Sequence, residues 1–170
     1  YVLKNFHNEE SSLFFYTDSS NKLIIRSTET SDNVIPASNS QMAHNLFKLG
    51  KYFSIAGYEE KSVKMLQRFT DEIMSYGAGY SHWASLYSDF LSNYHEVCIV
   101  GKDVEEKLLG LYKHYLPNTI FVVTATPSEL DILKGRYVNN QTLIYVCKNK
   151  SCQLPTSEVK VAVEQIEKFN

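Results

Sequence analysis

Cys147 and Cys152 stand five positions apart in "LIYVCKNKSCQLPT", behind an apolar run and ahead of Pro155. A dithiol that exchanges electrons is normally C-x-x-C at a helix N-terminus, where the helix dipole favours the thiolate. Here the spacing is C-x4-C, the intervening Lys148–Asn149–Lys150–Ser151 is turn-forming, and no C-x-x-C occurs in the chain. Five extended steps span ~17 Å, against the ~4.4–6.8 Å between Cα atoms that is usual for a disulfide, so a tight reversal at Asn149 is required to join the two. Three readings stand: structural thiols, a disulfide or redox pair, and half of a metal site. The last lacks ligands, because zinc wants four and His7, His44, His82, His95 and His114 show no H-x3–5-H pairing. The expectation is therefore no metal.

Two further stretches could carry chemistry. "DNVIPASNS" (Asp32–Ser40) is the densest polar group in the chain and lies just ahead of a helical pattern. Helix N-terminal N–H groups can hold an anion or a sugar hydroxyl, and the same residue types also serve as caps. "GYSHWASL" brings together Tyr80, His82 and the only tryptophan, Trp83. Aromatic rings beside hydrogen-bond donors hold the apolar faces of sugars, although Trp83 at helical spacing with Leu86, Tyr87 and Phe90 also reads as core. "IVGKD" follows a strand-like run but lacks both phosphate-loop and dinucleotide patterns, so no nucleotide cofactor is expected. G-x-S-x-G is absent.

These residues need elements to position them. "SLFFYTDSSNKLIIRST" (12–28) alternates around Asp18–Asn21 and predicts a β-hairpin. Ser38 and Gln41 have capping-box spacing ahead of a helix over 39–54, with Met42, Leu46, Leu49 and Phe53 on its inner face. A second helix over 59–76 turns Val63, Leu66, Phe69 and Ile73 inward. A third, capped by Ser81, carries Trp83 and Leu86. Such successive amphipathic helices read as antiparallel hairpins.

From His95 the pattern changes. "EVCIVG", "TIFVVTA" and "TLIYVC" are short buried strands. Between them lie an Asp103-capped helix with Leu108, Leu111, Tyr112 and Tyr115, and a short helix over Ser128–Leu133. A last helix with Val159, Val163, Ile166 and Phe169 follows Pro155. Strand–helix–strand with apolar runs predicts mainly parallel pairing. The fold class is α+β, with helical hairpins over 1–94 and a three-stranded α/β layer over 95–170.

At 170 residues, 44% hydrophobic and 21% charged, the chain has an ordinary globular composition. Net charge is −2, with 8 Lys and Arg in 1–94 and 9 in 95–170, so no basic face points to nucleic acid. No apolar stretch reaches the ~18–20 residues of a membrane span. Three cysteines are an odd, small number that favours a reducing, cytoplasmic setting. The chain opens mid-pattern at "YVLKNF" and is expected to be an excised or processed piece.

"DNVIPASNSQMAHNLFKLG", followed by "EVCIVG … YLPNTIFVV … IYVCKNKSCQLPTS", resembles a known family. Its members carry D-G-x-x-P-S-x-N-S, then V-x-I-V-G, P-N and A-Y-V-C-x-N-x-x-C-x-x-P-T. They are the long thioredoxin-domain-containing proteins of the spermatogenesis-associated type. The landmarks occur in order from about Ser12 to the end. Asn33 departs from the pattern's glycine, and Ala37–Ser38 from its Ser–Gly. The resemblance implies the C-terminal part of such a protein. There an N-terminal thioredoxin-like domain joins an α/α toroid similar to N-acylglucosamine 2-epimerase and six-hairpin glycosidases. It further implies that Asp32, Asn39 and Ser40 face the toroid cavity.

Three functions follow as expectations. The chain completes a toroid structurally and is itself non-catalytic. Alternatively, Asp32, Asn39, Ser40, Tyr80 and His82 contribute to a carbohydrate-binding or epimerase-like pocket. As a third reading, Cys147 and Cys152 form an accessory redox pair for the thioredoxin-like domain. The partner expected is the remainder of the same protein, and the excised piece is expected to self-associate through uncovered apolar faces.

Overall fold

A computed structural model of the chain describes residues 1–21 and 23–169. They form two units: Tyr1–Lys51 with Ile55–Ser88, and Tyr52–Ser54 with the residues from Asp89 onward.

In the first unit, a short helix α1 (Val2–Asn5) precedes an irregular run up to α2 (Ser38–Phe53). The predicted hairpin over 12–28 does not form among the described residues; Lys22, in its second run, lies outside them. The turn itself exists, since Asp18 Oδ1 accepts from the Ser20 N–H at 2.6 Å. The alternation is not used, however. Adjacent Leu13 and Phe14 are both buried, while Ile24 and Ile25 are 102% and 81% exposed. Single main-chain pairings remain, a bridge of His7 with Phe14 and the Tyr16 N–H on the Ser27 carbonyl at 2.8 Å, and a side chain supplements them. Asn39 Oδ1 accepts from the Phe14 N–H at 2.7 Å, and Asn39 Nδ2 donates to the Phe14 carbonyl at 2.9 Å. An amide can imitate one rung of a ladder because it offers both a donor and an acceptor.

α2 buries Asn39, Ser40, Ala43, His44, Leu46, Phe47 and Gly50. The apolar residues alone predict a different stripe, and Leu49 and Phe53 are in fact 38% and 48% exposed. The true face includes small and polar residues, which hydrophobic periodicity does not register. α3 (Ala56–Leu66) follows after Ser54, whose φ of 57° turns the chain. The two helices approach closely. Ser62 Oγ donates to the Ala43 carbonyl at 2.8 Å, and a Cβ on Gly50 would lie 2.5 Å from Glu59 Cγ. The helix expected over 59–76 is broken by a 3-10 turn at Gln67–Phe69 before α4 (Thr70–Ser75). A second 3-10 turn, Gly77–Tyr80, leads directly into α5 (Ser81–Leu91), where Trp83 and Leu86 are buried.

The second unit is built on β1 (His95–Val100), α6 (Val104–Leu111), β2 (Thr119–Thr124), β3 (Leu143–Lys148), β4 (Ser151–Cys152) and α7 (Val159–Lys168). Strand order is β2-β1-β3-β4, with β1 central and buried at all six positions. The three expected strands do lie side by side, but the sheet is mixed and four-stranded. β1 pairs with β2 in parallel, and with β3 antiparallel. Parallel return needs a crossover, commonly a helix. Ser128–Leu133 instead forms only turns, with the Lys134 N–H on the Leu130 carbonyl at 2.8 Å. The chain therefore stays at the end of the sheet where β2 finished. There it enters β3 opposite Val100, which requires the antiparallel sense. Gly101 makes that end passable. Its φ is +135°, and a Cβ would lie 2.2 Å from the Gln141 carbonyl oxygen.

One sheet face buries Val97, Ile99, Ile144 and Val146 in a core with Leu111, Ala162, Val163 and Ile166. Tyr112 and Tyr115, expected inward on α6, are 61% and 91% exposed. The alternate positions of β1 and β3, including Glu96, Cys98, Tyr145 and Cys147, belong to the opposite face.

Candidate functional site

Asp32 lies at the N-termini of two helices. Its Oδ1 accepts from the Ala37 N–H at 2.9 Å and from Ser40 Oγ at 2.7 Å. Its Oδ2 accepts from the His82 N–H at 2.8 Å, in the first turn of α5. The carboxylate, 6% exposed, thus meets the positive ends of α2 and α5 together. The rest of the α2 N-terminus is held from further back. The Ser38 N–H donates to Glu29 Oε2 at 2.9 Å, and the Asn39 N–H to the Glu29 carbonyl at 3.3 Å. This arrangement replaces the expected Ser38–Gln41 capping box; Gln41 Nε2 donates along the helix to Asn45 Oδ1 at 3.0 Å.

Asn39 also donates to the Glu29 carbonyl at 2.8 Å, so its amide serves three main-chain groups. His82 stacks on His44, with ring centroids 3.9 Å apart. His44 Nε2 donates to the His82 carbonyl at 2.9 Å, and burial pulls the His44 imidazole down to about 4. Tyr80 stacks on Phe69 at 5.7 Å, and Phe69 lies 4.5 Å from Trp83. The Trp83 indole N–H donates to the Thr30 carbonyl at 2.7 Å. The structure therefore joins Asp32, Ser40 and the His82 main chain. It places Asn39 against Phe14 and Tyr80 in an aromatic stack. An open depression of about 230 Å³ is lined by Asp32, Val34, Ile35, Ser81, His82 and Ser85. Glu29, Phe14 and His44 are the members of this cluster that sequence reasoning did not find.

In the second unit, Cys147 and Cys152 are joined in a disulfide, with Cα atoms 3.9 Å apart as cross-strand partners of β3 and β4. The reversal at Asn149 makes this reach possible: Asn149 and Lys150 have φ of 50° and 66°, the left-handed pair of a tight hairpin. Cys147 is fully buried and Cys152 is exposed. Arg136 Nη1 donates to Cys147 Sγ at 3.0 Å, and the guanidinium lies 5.1 Å from the Tyr145 ring centre. The Tyr145 hydroxyl donates back to the Arg136 carbonyl at 2.8 Å. The third cysteine, Cys98, is buried with its thiol on the Ile132 carbonyl at 3.3 Å, and burial pushes it up to about 11. Arg136 lies in a polar loop without a motif, so only geometry reveals it. Among the described residues, no group of three or more His, Cys, Asp or Glu is placed to hold a metal. No helix among them is long and apolar enough to cross a membrane.

The chain is 24% identical over 147 residues to spermatogenesis-associated protein 20 of Homo sapiens, covering 80% of this chain. It is a distant relative of that protein. The Mus musculus and Rattus norvegicus proteins of the same name are each 23% identical over 147 residues. The chain spans 19% of the length of these curated relatives. No family model matches. No solved structure matches.

Proposed function

We propose that this chain is a structural, non-catalytic C-terminal portion of a longer, cytoplasmic protein of the spermatogenesis-associated, thioredoxin-domain-containing type. In this reading its helices complete an α/α toroid, the second unit adds a small α/β layer, and the partner is the remainder of the same protein. One observation carries the proposal. Asp32, Asn39 and Ser40 turn their polar atoms onto this unit's own main chain and each other, while Ile24, Ile25, Val34 and Ile35 of the same unit stand 72–102% exposed. Apolar side chains that exposed, on a unit whose polar cluster is satisfied internally, suit a surface that further helices cover. The relatives, about five times longer by the 19% share, provide length for such helices.

Substitution tests this directly. Ile25→Asp with Ile35→Asp should leave the chain alone as stable as wild type and lessen its self-association in light scattering. In the full-length gene product the same pair should lower Tm by several degrees. A full-length protein indifferent to both changes would reject the covering surface.

A second reading rests on the disulfide, as an accessory thiol–disulfide pair serving the thioredoxin-like domain. A cross-strand bond with one exposed sulfur, in a reducing compartment, is of the kind that turns over rather than persists. Thiol titration without and with reductant should differ by two thiols; no difference would reject a bonded pair. A carbohydrate pocket has one observation in its favour, the open depression beside Asp32 and His82. Ser85→Phe should abolish any stabilisation that mono- or disaccharides give the full-length protein.

A further inference from the structure

The two sulfurs of the disulfide have different surroundings. Cys152 is exposed on the short edge strand β4, whereas Cys147 is fully buried on β3. Arg136 Nη1 reaches Cys147 Sγ at 3.0 Å, and its guanidinium is steadied over Tyr145 while the Tyr145 hydroxyl holds the Arg136 carbonyl. A cation donating a hydrogen bond to sulfur stabilises a thiolate far more than a neutral sulfur. We propose that this pair is a directional thiol–disulfide exchange site, in which a dithiol attacks Cys152 and Cys147 departs as a thiolate held by Arg136. The inference rests on the accessory-pair reading and specifies its chemistry.

The electron count closes with a dithiol as reductant. One of its thiols, deprotonated, bonds to Cys152 Sγ. The Cys147–Cys152 bond breaks, and its electron pair passes to Cys147 Sγ beside Arg136. The second thiol of the reductant, on losing its proton, attacks the reductant sulfur of the mixed disulfide. It leaves as an oxidised cyclic or protein disulfide, and the Cys152 thiolate takes up a proton from solvent. Two electrons have moved from the dithiol to this chain. Approach from the Cys147 side is closed by burial. Attack there would also expel Cys152 as a thiolate without the guanidinium contact that the structure gives Cys147.

Other charged and titratable groups share that sheet face. Glu96 is the cross-strand partner of Cys147 on β1, and Cys98 pairs with Tyr145. Glu96 opposes a second negative charge nearby, so Arg136 is the group whose removal weighs most on the departing thiolate. Cys98 is buried and hydrogen-bonded to the Ile132 carbonyl, which sets it apart from the exchange.

The test uses the intact chain. Incubation with glutathione, followed by acid trapping and peptide mass analysis, should place the adduct on Cys152. Dithiothreitol reduction near pH 7 should slow about tenfold in Arg136→Ala and be largely restored in Arg136→Lys. In a Cys152→Ser background, the ultraviolet thiolate absorbance of Cys147 should appear at higher pH when Arg136→Ala is added, a shift that a merely structural arginine would not cause. Adduct on Cys147, or equal reduction rates and thiolate titrations with and without Arg136→Ala, would overturn the assignment while leaving an exchanging pair. A bond that neither glutathione nor dithiothreitol opens in the folded chain would overturn the exchange reading itself.

Discussion

Replacing Asp32 by alanine removes one carboxylate from two helix starts at once. Three hydrogen bonds disappear: those from the Ala37 N–H, the Ser40 hydroxyl and the His82 N–H. Each is worth about 1 kcal/mol net, the value of an ordinary hydrogen bond and below that usual for charged partners, because the adjoining depression can admit water. Losing a negative charge at the ends of α2 and α5 adds about 0.5–1 kcal/mol. Asp32→Ala should therefore destabilise the first unit by about 3–4 kcal/mol. Asp32→Asn retains an acceptor for Ala37 and Ser40 but turns an amide donor toward the His82 N–H, and should cost about 2 kcal/mol. Ser40→Ala breaks only its own bond, at about 1 kcal/mol. Urea unfolding followed by Trp83 emission suits the measurement, since Trp83 is fully buried on α5 and is the only tryptophan. An Asp32→Ala protein within about 0.5 kcal/mol of wild type would refute the idea that this carboxylate holds both helices.

Acid should weaken the same unit through His44. An unfolded histidine titrates near 6.5, whereas the buried imidazole titrates at about 4, so the folded state excludes a proton between those values. This contribution is complete above pH 6.5 and drains away as pH falls toward 4. Its ceiling is about 3 kcal/mol, of which solvent screening leaves about 1–2 kcal/mol. Stability measured from pH 7 to 4 should fall less steeply in His44→Gln; equal slopes would contradict the assignment. In the second unit, Gly101→Ala forces a Cβ to within 2.2 Å of the Gln141 carbonyl at a φ of +135° and should cost about 3 kcal/mol or more in urea unfolding. Cys152→Ser opens a short loop and should cost about 2 kcal/mol under oxidising conditions and nothing under reduction.

The elements with strong periodicity were legible. The three short apolar runs became β1, β2 and β3, and the last amphipathic run became α7 with Ala162, Val163 and Ile166 buried. The alternating run at 12–28 misled because a side chain, Asn39, supplied the pairing that a second strand would have given Phe14. The parallel expectation failed for β3 because direction depends on whether the connection forms a crossover, and Ser128–Leu133 carries too short a helical signal to decide it. Asp32, Asn39 and Ser40 stood out as a polar group, yet their tasks depend on Glu29, Phe14 and His82, contacts up to 50 residues away in sequence. The cysteine pair could be read only as alternatives until Asn149 and Lys150 were seen to reverse the chain.

The covering surface is the claim on which the functional account rests, and side-chain footprinting addresses it most directly. Hydroxyl-radical labelling of Ile24, Ile25, Val34 and Ile35 should be strong in this chain alone, where each is 72% exposed or more. In the full-length gene product labelling at these four residues should fall several-fold, while exposed Tyr115 reacts as before. Equal labelling of all four in both proteins would contradict the account.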